Sequence, residues 1–214
     1  ESLGSRYTDG RFAGKHTGTI GKFGCISFNG NKIITTGGGG MILTDDEEQA
    51  ARALYLTTQA KDHAEKYIHN EIGYNFRLTN IQAALGVAQL QQLAGFIQKK
   101  QEIFKVYTKG LENNSDLRIA DVPNYSENNH WLTILQLNGG DYTEKRKQLF
   151  EKLSSRGIQT RPVWQLNHLQ LPYQGCQSFE VEKALSLLDR SLCMPSSAGM
   201  SLNDLDTIIS ELNE

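Results

Sequence analysis

The chain has 214 residues, of which 38% are hydrophobic and 21% are charged. This composition is typical of a soluble globular protein and excludes a disordered or membrane-spanning chain. The 22 lysines and arginines nearly balance 24 aspartates and glutamates, which argues against a broad nucleic-acid-binding surface because such a surface needs excess positive charge.

Cysteine and histidine spacing bears on the compartment and on metal binding. Cys25, Cys176 and Cys193 are odd in number and far apart, so we expect no disulfide framework and a reducing, cytoplasmic location. His63 and His69 are six residues apart, which is not a usual ligand spacing on a helix, and we expect no metal site. No apolar run approaches the roughly 18 residues of a transmembrane helix, and no signal peptide is apparent.

The first part of the chain predicts two strands, over residues 23–28 and 40–44, because both are short apolar runs. The loop between them contains Lys32 and ends in four consecutive glycines, residues 37–40. The acidic residues 45–48 then supply an N-cap and first-turn acids for a helix.

A long helix is the main feature of the middle of the chain. Residues 57–74 are polar and aperiodic and predict a loop, whereas apolar residues recur at helical spacing for more than twenty residues from Asn80. We expect this helix to connect two subdomains, with a boundary near residue 105. The predicted domains are therefore residues 1–105 and residues 106–214.

Strands and helices alternate in the rest of the chain, so we predict an α/β or α+β architecture. The predicted elements are a strand over 130–135, a helix over 143–156, a short strand over 157–160, and helices over 179–190 and 201–212. Ser201 and Asp204 have the spacing of a capping pair at the start of the last helix.

Lys32 is the first candidate for chemistry, because the surrounding segment from Phe23 to Thr44 carries no other charge. We expect its side chain to be partly desolvated, which favours the neutral, nucleophilic amine. An ordinary surface lysine is the alternative. The glycine run matches neither common phosphate-binding pattern, and it could bring the backbone close to a cofactor or only to a neighbouring strand.

Six segments together resemble the DegT/DnrJ/EryC1/StrS family, whose members are sugar aminotransferases that use pyridoxal phosphate (PLP). The Lys32 segment resembles the active-site lysine segment of that family, and the others agree with it in order and spacing. The segments are residues 1–4, 27–42, 73–84, 160–164, 168–170 and 194–197. The resemblance implies the PLP-dependent transferase fold of aspartate aminotransferase, fold type I, with an α+β small C-terminal domain.

The resemblance also implies how PLP would be bound. Lys32 would form the Schiff base with PLP and shuttle protons between the donor Cα and C4′ of the cofactor. Ser27 would hydrogen-bond the cofactor phosphate, and Glu1 falls at a position close to the ring. Asn75 would reach the phosphate from the other subunit, which implies a homodimer with shared active sites. The alternative for Asn75 is a turn residue.

Five residues fall where the resemblance implies contacts with the nucleotide sugar: Tyr74, Arg77, Arg161, Trp164 and His168. An arginine suits a diphosphate because its guanidinium is bidentate and permanently charged. Structural alternatives remain open: a surface ion pair for Arg77, a core position for Trp164, and a core or surface histidine for His168.

The sequence corresponds to the C-terminal part of such an enzyme. The family aspartate that pairs with the pyridinium nitrogen would lie three residues before Glu1, and the N-terminal half of the large domain also falls outside this sequence. Because a parallel sheet without half of its strands exposes an apolar edge, we expect the piece alone to bind PLP poorly and to be inactive.

The implied reaction transfers an amine from L-glutamate to a nucleotide-linked 4-keto-6-deoxy sugar, at C4, for surface-polysaccharide or glycan biosynthesis. The local sequence is most similar to enzymes acting on UDP-4-keto-6-deoxy-N-acetylglucosamine. A GDP-perosamine synthase is one alternative, and a non-catalytic fragment with a structural role is another. Lys32 argues against the family's PLP-dependent dehydratases, in which a histidine replaces the lysine. A phosphate-binding domain is a further alternative, but it would need a strand–loop–helix order around the glycines. The sequence predicts strand–loop–strand instead.

Overall fold

The computed structural model describes residues 1–63 and 65–214, which form two compact units. The first unit comprises residues 1–98 and 122–131, and the second comprises residues 99–121 and 132–214. The change from one unit to the other at residues 98–99 falls inside the long helix, as does the boundary predicted near residue 105. The segment 122–131 belongs to the first unit, which the sequence did not indicate.

Short antiparallel strand pairs and helices build the first unit. Strand β1 (Arg6–Tyr7) pairs with β5 (Ser126–Glu127), and β2 (Gly24–Ser27) pairs with β3 (Gly40–Leu43). Both predicted strands on either side of the Lys32 loop are thus confirmed. All strand pairs of the described residues are antiparallel, so no parallel sheet of the expected kind is present in them.

Helix α1 (Glu47–Thr57) begins where the acidic residues predict it. The Asp46 carboxylate accepts a hydrogen bond from the Gln49 backbone N–H at 3.0 Å and so caps the helix. Helix α2 (Asn80–Gly110) is 31 residues long and confirms the predicted long helix. None of the described helices combines the length and the apolarity that crossing a bilayer requires.

A four-stranded antiparallel sheet and the helices around it build the second unit. Its strands lie in the order β4 (Leu117–Ile119), β6 (Thr133–Leu137), β8 (Ser191–Met194) and β7 (Arg161–Pro162). The helices after α2 are α3 (Tyr142–Ser155), α4 (Glu182–Asp189) and α5 (Leu202–Asn213).

One apolar cluster forms the core of the second unit. The C-terminal turns of α2, the sheet, α3 and α5 all contribute side chains to it. Its fully buried members include Ile103, Tyr107, Leu135, Leu153 and Leu205. Helix α5 begins with the predicted pair: Ser201 and Asp204 form a capping box. The hydrogen bonds from Ser201 lower the pKa of the Asp204 carboxyl.

Two predicted elements of the second unit are displaced by residues with positive φ. No strand forms over 157–160, because Gly157 (φ +74°) and Ile158 close the last turn of α3 by hydrogen bonds to Ser154 and Leu153. The short strand of this region is β7, which begins at Arg161, after the predicted range. Likewise Glu180 (φ +49°) cannot continue a helix, so α4 begins at Glu182 and not at residue 179.

Strand β6 begins three residues later than its predicted start at residue 130. The Asn129 side-chain oxygen accepts the backbone N–H of Trp131 at 2.9 Å, and His130 between them has a φ of +48°. This turn is incompatible with an extended strand, so His130 and Trp131 precede the sheet.

Candidate active site

Lys32 lies in a tight loop that joins β2 to β3. The base of the loop is closed by backbone hydrogen bonds from Thr36 N–H to the Phe28 carbonyl (3.1 Å) and from Phe28 N–H to the Gly39 carbonyl (3.0 Å). Phe28 and Ile34 are buried and anchor the loop in the first unit. The loop therefore presents Lys32 from a fixed base.

The glycine run is explained by the neighbouring strand. Gly37 and Gly39 have φ near +80°, which a residue with a Cβ rarely adopts. A Cβ on Gly40 would lie 2.4 Å from the Ile26 carbonyl oxygen on β2. Of the two functions left open for the glycines, close approach to a strand is thus the one supported by contacts of the described residues.

Two groups hold the Lys32 side chain, which is only 11% exposed. Its Nζ lies 2.9 Å from Glu1 Oε1 and 4.0 Å from the centre of the Trp131 ring. A carboxylate and an aromatic face both attract a cation. The low exposure agrees with the partial desolvation expected for this side chain.

Ser27 is the last residue of β2, and its side chain is half-buried. Its hydroxyl oxygen accepts a hydrogen bond from the Asn29 backbone N–H at 3.3 Å. The hydroxyl proton can still be donated to an anion, because a serine hydroxyl is donor and acceptor at once.

The segment with Tyr74, Asn75 and Arg77 is extended and exposed. Asn75 forms an isolated antiparallel bridge with Thr58, and the Tyr74 ring stacks on Phe76 with centroids 5.0 Å apart. No salt bridge of Arg77 is found among residues 1–63 and 65–214, so the surface ion pair is not supported there. No hydrogen bond or ion pair between described residues joins this segment to Lys32.

A cluster of hydrogen-bonded polar side chains immediately precedes that segment in the chain. Arg52 on α1 forms a salt bridge with Glu71, and this hydrogen bond lowers the pKa of the Glu71 carboxyl. Asp62 accepts hydrogen bonds from the Tyr55 hydroxyl and from the Asn70 backbone N–H. The Asn70 hydrogen bond is the main cause of a lowered pKa at Asp62.

The other three candidates belong to the second unit. Trp164 is 58% exposed, so the core position considered for it is wrong. His168 is half-buried in a short 3₁₀ turn, Asn167–Leu169. Arg161 on the edge strand β7 is exposed and lines a cavity of about 330 Å³ together with Phe150.

Two residues at Lys32 were not predicted from the sequence. Trp131 contacts the amine, and Asn129 Nδ2 donates to the Glu1 and Leu3 carbonyls, each at 2.9 Å. The residues are far apart in sequence, and the only local signal is the consecutive asparagines Asn128 and Asn129, which favour a turn.

Within the part of the chain that the structure describes, no three or more His, Cys, Asp or Glu side chains are grouped so that they could hold a metal ion. Cys25 and Cys176 are free and exposed, and Cys193 is free and buried.

Sequence and structure comparisons agree on one family. The profile of the DegT/DnrJ/EryC1/StrS aminotransferase family matches residues 1–213. EpsN of Bacillus subtilis (strain 168), a proposed pyridoxal phosphate-dependent aminotransferase, is 37% identical over 218 residues, which are 99% of this chain and 54% of EpsN. GDP-perosamine synthase of Escherichia coli O157:H7 is 34% identical over 215 residues, which are 100% of this chain and 56% of that enzyme.

A solved structure is similar over nearly the whole chain. Helicobacter pylori PseC, an aminotransferase involved in pseudoaminic acid biosynthesis, superposes with a TM-score of 0.86 at 25% identity, covering 99% of this chain and 56% of PseC. The chain therefore spans little more than half the length of these relatives.

Proposed function

Because the chain belongs to the DegT/DnrJ/EryC1/StrS aminotransferase family, we propose that it is part of a PLP-dependent nucleotide-sugar aminotransferase in which Lys32 is the catalytic lysine. The observation that carries the proposal is the lysine itself. It lies in a closed loop between two paired strands, is 11% exposed, and has a carboxylate at 2.9 Å. A solvated surface lysine has no such fixed environment.

The residues around Lys32 fit PLP. A primary amine can condense with the cofactor aldehyde, and the Ser27 hydroxyl nearby in sequence can donate to a phosphate oxygen. PLP supplies an electron sink that stabilises negative charge developing at the amino-acid Cα. Glu1 lies against the Lys32 amine and would border the ring, whereas Asn75 would serve the phosphate of the other subunit of a homodimer.

Lys32 has two tasks in this proposal. Its amine holds the cofactor between turnovers, and it then carries a proton to and from the donor Cα. L-Glutamate would transfer its amino group to the bound cofactor and leave as 2-oxoglutarate before the keto sugar binds. Ping-pong kinetics are therefore expected.

The resemblance assigns five residues to the nucleotide sugar, and each has a side chain suited to that ligand. Arg77 and Arg161 each offer a bidentate, permanently charged group for the diphosphate. The exposed Trp164 ring can stack on a base or sugar, and Tyr74 and His168 can hydrogen-bond to hydroxyls of the nucleotide sugar.

UDP-4-keto-6-deoxy-N-acetylglucosamine is the substrate that we propose first, with amination at C4. A GDP-linked 4-keto-6-deoxy sugar is the second candidate, which the 34% identity to a GDP-perosamine synthase favours. Residues 1–214 alone would be inactive and would bind PLP poorly, as a piece of the enzyme.

The test is a product assay on the full-length protein. It is incubated with PLP, L-glutamate and either the UDP-linked or the GDP-linked keto sugar, and the amino sugar and 2-oxoglutarate are quantified by mass spectrometry. We expect equal amounts of the two products, with the UDP-linked sugar preferred. Preference for the GDP-linked sugar would select the second candidate, and no amination of either would contradict both.

A further inference from the structure

We propose that Trp131 and Asn129 are positioning residues for the Lys32 amine. Neither residue belongs to a segment that carries the family resemblance, yet both contact Glu1 or the lysine loop. The inference rests on the proposed function, since it concerns the same amine.

Trp131 binds the lysine loop in two ways. Its indole Nε1–H donates to the Asn31 carbonyl at 2.7 Å, which fixes the backbone immediately before the lysine. Its ring face lies 4.0 Å from Lys32 Nζ, a distance at which a cation–π contact is favourable. Trp131 is only 8% exposed, so its ring is held in place by packing and limits the positions that the lysine side chain can take.

Asn129 connects Trp131 to the N-terminal segment that carries Glu1. It is 3% exposed, and its amide group holds the carbonyls of Glu1 and Leu3 while its oxygen accepts the Trp131 backbone N–H. Its own backbone N–H donates to the Ser5 hydroxyl at 3.0 Å. One buried side chain thus sets the positions of both groups that contact the lysine.

The turn between these two residues carries backbone strain. His130 has a φ of +48°, a conformation that a residue with a side chain adopts only where the surroundings impose it. The Asn128 side chain accepts the His130 backbone N–H at 2.7 Å. Such strain is kept where it fixes neighbouring side chains, which here are those of Asn129 and Trp131.

The consequence is a lysine whose long side chain has little freedom left. A free lysine side chain populates many rotamers, and ordering it has an entropic cost. Here Glu1 attracts Nζ and the ring of Trp131 shields it. The amine is therefore held at one place before any ligand arrives.

The test measures acylation of the Lys32 amine in the full-length protein without PLP. Acetic anhydride at limiting concentration labels lysines, and peptide mass spectrometry gives the rate at each one. We expect Trp131→Leu to raise the Lys32 rate by about 2- to 30-fold, the range that loss of a cation–π contact supports. Trp131→Phe keeps a ring face but loses the Nε1–H bond to the Asn31 carbonyl, so it should raise the rate less than Trp131→Leu does. Asn129→Ala should raise the rate as well.

Controls separate positioning from folding. Asn124→Ala changes an exposed residue of the same segment and should leave the Lys32 rate unchanged. Lys100 is buried, with its Nζ bonded to the Ser196 carbonyl, so rapid labelling of Lys100 marks an unfolded sample. If Trp131→Leu fails to fold, Asn129→Ala decides whether the proposal stands. A raised Lys32 rate in that variant supports the proposal, and an unchanged rate overturns it.

Equal Lys32 rates in the leucine and phenylalanine variants would overturn the proposal, because the indole would then only fill space. An unchanged Lys32 rate in Trp131→Leu or in Asn129→Ala would overturn it as well. The assay contains no PLP, so its outcome is independent of whether the wild-type protein binds the cofactor. Failure of the proposed function would appear instead as a wild-type protein that does not transfer an amine.

Discussion

Replacement of Lys32 by arginine is expected to lower kcat/KM for amine transfer by about 10²- to 10⁴-fold, the contribution of a positioned acid–base group. Arginine keeps the positive charge that Glu1 and Trp131 contact in this structure. Its guanidinium is not deprotonated in proteins, however, so it can neither condense with PLP nor carry the proton. Initial rates in the full-length protein, followed by release of 2-oxoglutarate, measure the effect.

Lys22→Arg is the matched control for this variant. Lys22 is an exposed lysine shortly before β2, and the same substitution there should leave the rate within about twofold. A Lys32→Arg protein that keeps a tenth or more of the wild-type kcat/KM would remove Lys32 from the catalytic position. Unchanged urea unfolding of both variants would show that the loss is chemical.

Gly24→Ala is expected to cause a large loss of stability, at least about 3 kcal/mol, the upper part of the usual range for an overpacked site. Gly24 is buried in β2, and a Cβ there would lie 1.7 Å from the Gly18 carbonyl oxygen. That atom belongs to the backbone, so no rotamer change can relieve the clash. Urea unfolding followed by circular dichroism measures the difference.

The control for Gly24 lies in the same segment. A Cβ on Gly21 would lie 3.4 Å from the Phe23 carbonyl oxygen, an ordinary contact, and Gly21→Ala should change the free energy of unfolding by less than about 1 kcal/mol. Equal stability of Gly24→Ala and wild type would mean that β2 does not pass Gly18 as closely as described here.

Elements with a strong local signal were predicted correctly from the sequence. The long helix α2 has apolar residues at helical spacing, and α5 has a capping pair at Ser201 and Asp204. The strands around Lys32 are apolar runs with glycines at their ends. In each case the residues that decide the structure are neighbours in the chain.

Elements that depend on distant partners were missed or misplaced. Strand β8 (Ser191–Met194) is buried along its whole length and has only four residues, so no alternation of apolar and polar residues marks it. Strand β7 has two residues and exists through its pairing with β8. The start of β6 was misplaced because the Asn129 side chain takes the N–H of Trp131, which no periodicity reveals.

In the candidate site, too, the residues with a local sequence signal were predicted and those brought together by the fold were not. Lys32 and Ser27 lie in one contiguous segment, and both were proposed from that segment alone. Trp131 contacts the loop through a hydrogen bond between residues 100 positions apart, and only the fold brings them together. The two contacts of the Lys32 amine could not be predicted for the same reason, since Glu1 and Trp131 lie outside the uncharged segment that contains the lysine.

The central claim is that Lys32 is the amine that holds PLP. The most direct measurement incubates the full-length protein with PLP, reduces it with borohydride, and maps the pyridoxyl group by peptide mass spectrometry. We predict one pyridoxyl group per chain, confined to the peptide that contains Lys32 and absent from Lys32→Arg. Pyridoxyl groups spread over many lysines, or none at Lys32, would contradict the assignment of this chain to a PLP-dependent aminotransferase with a catalytic Lys32.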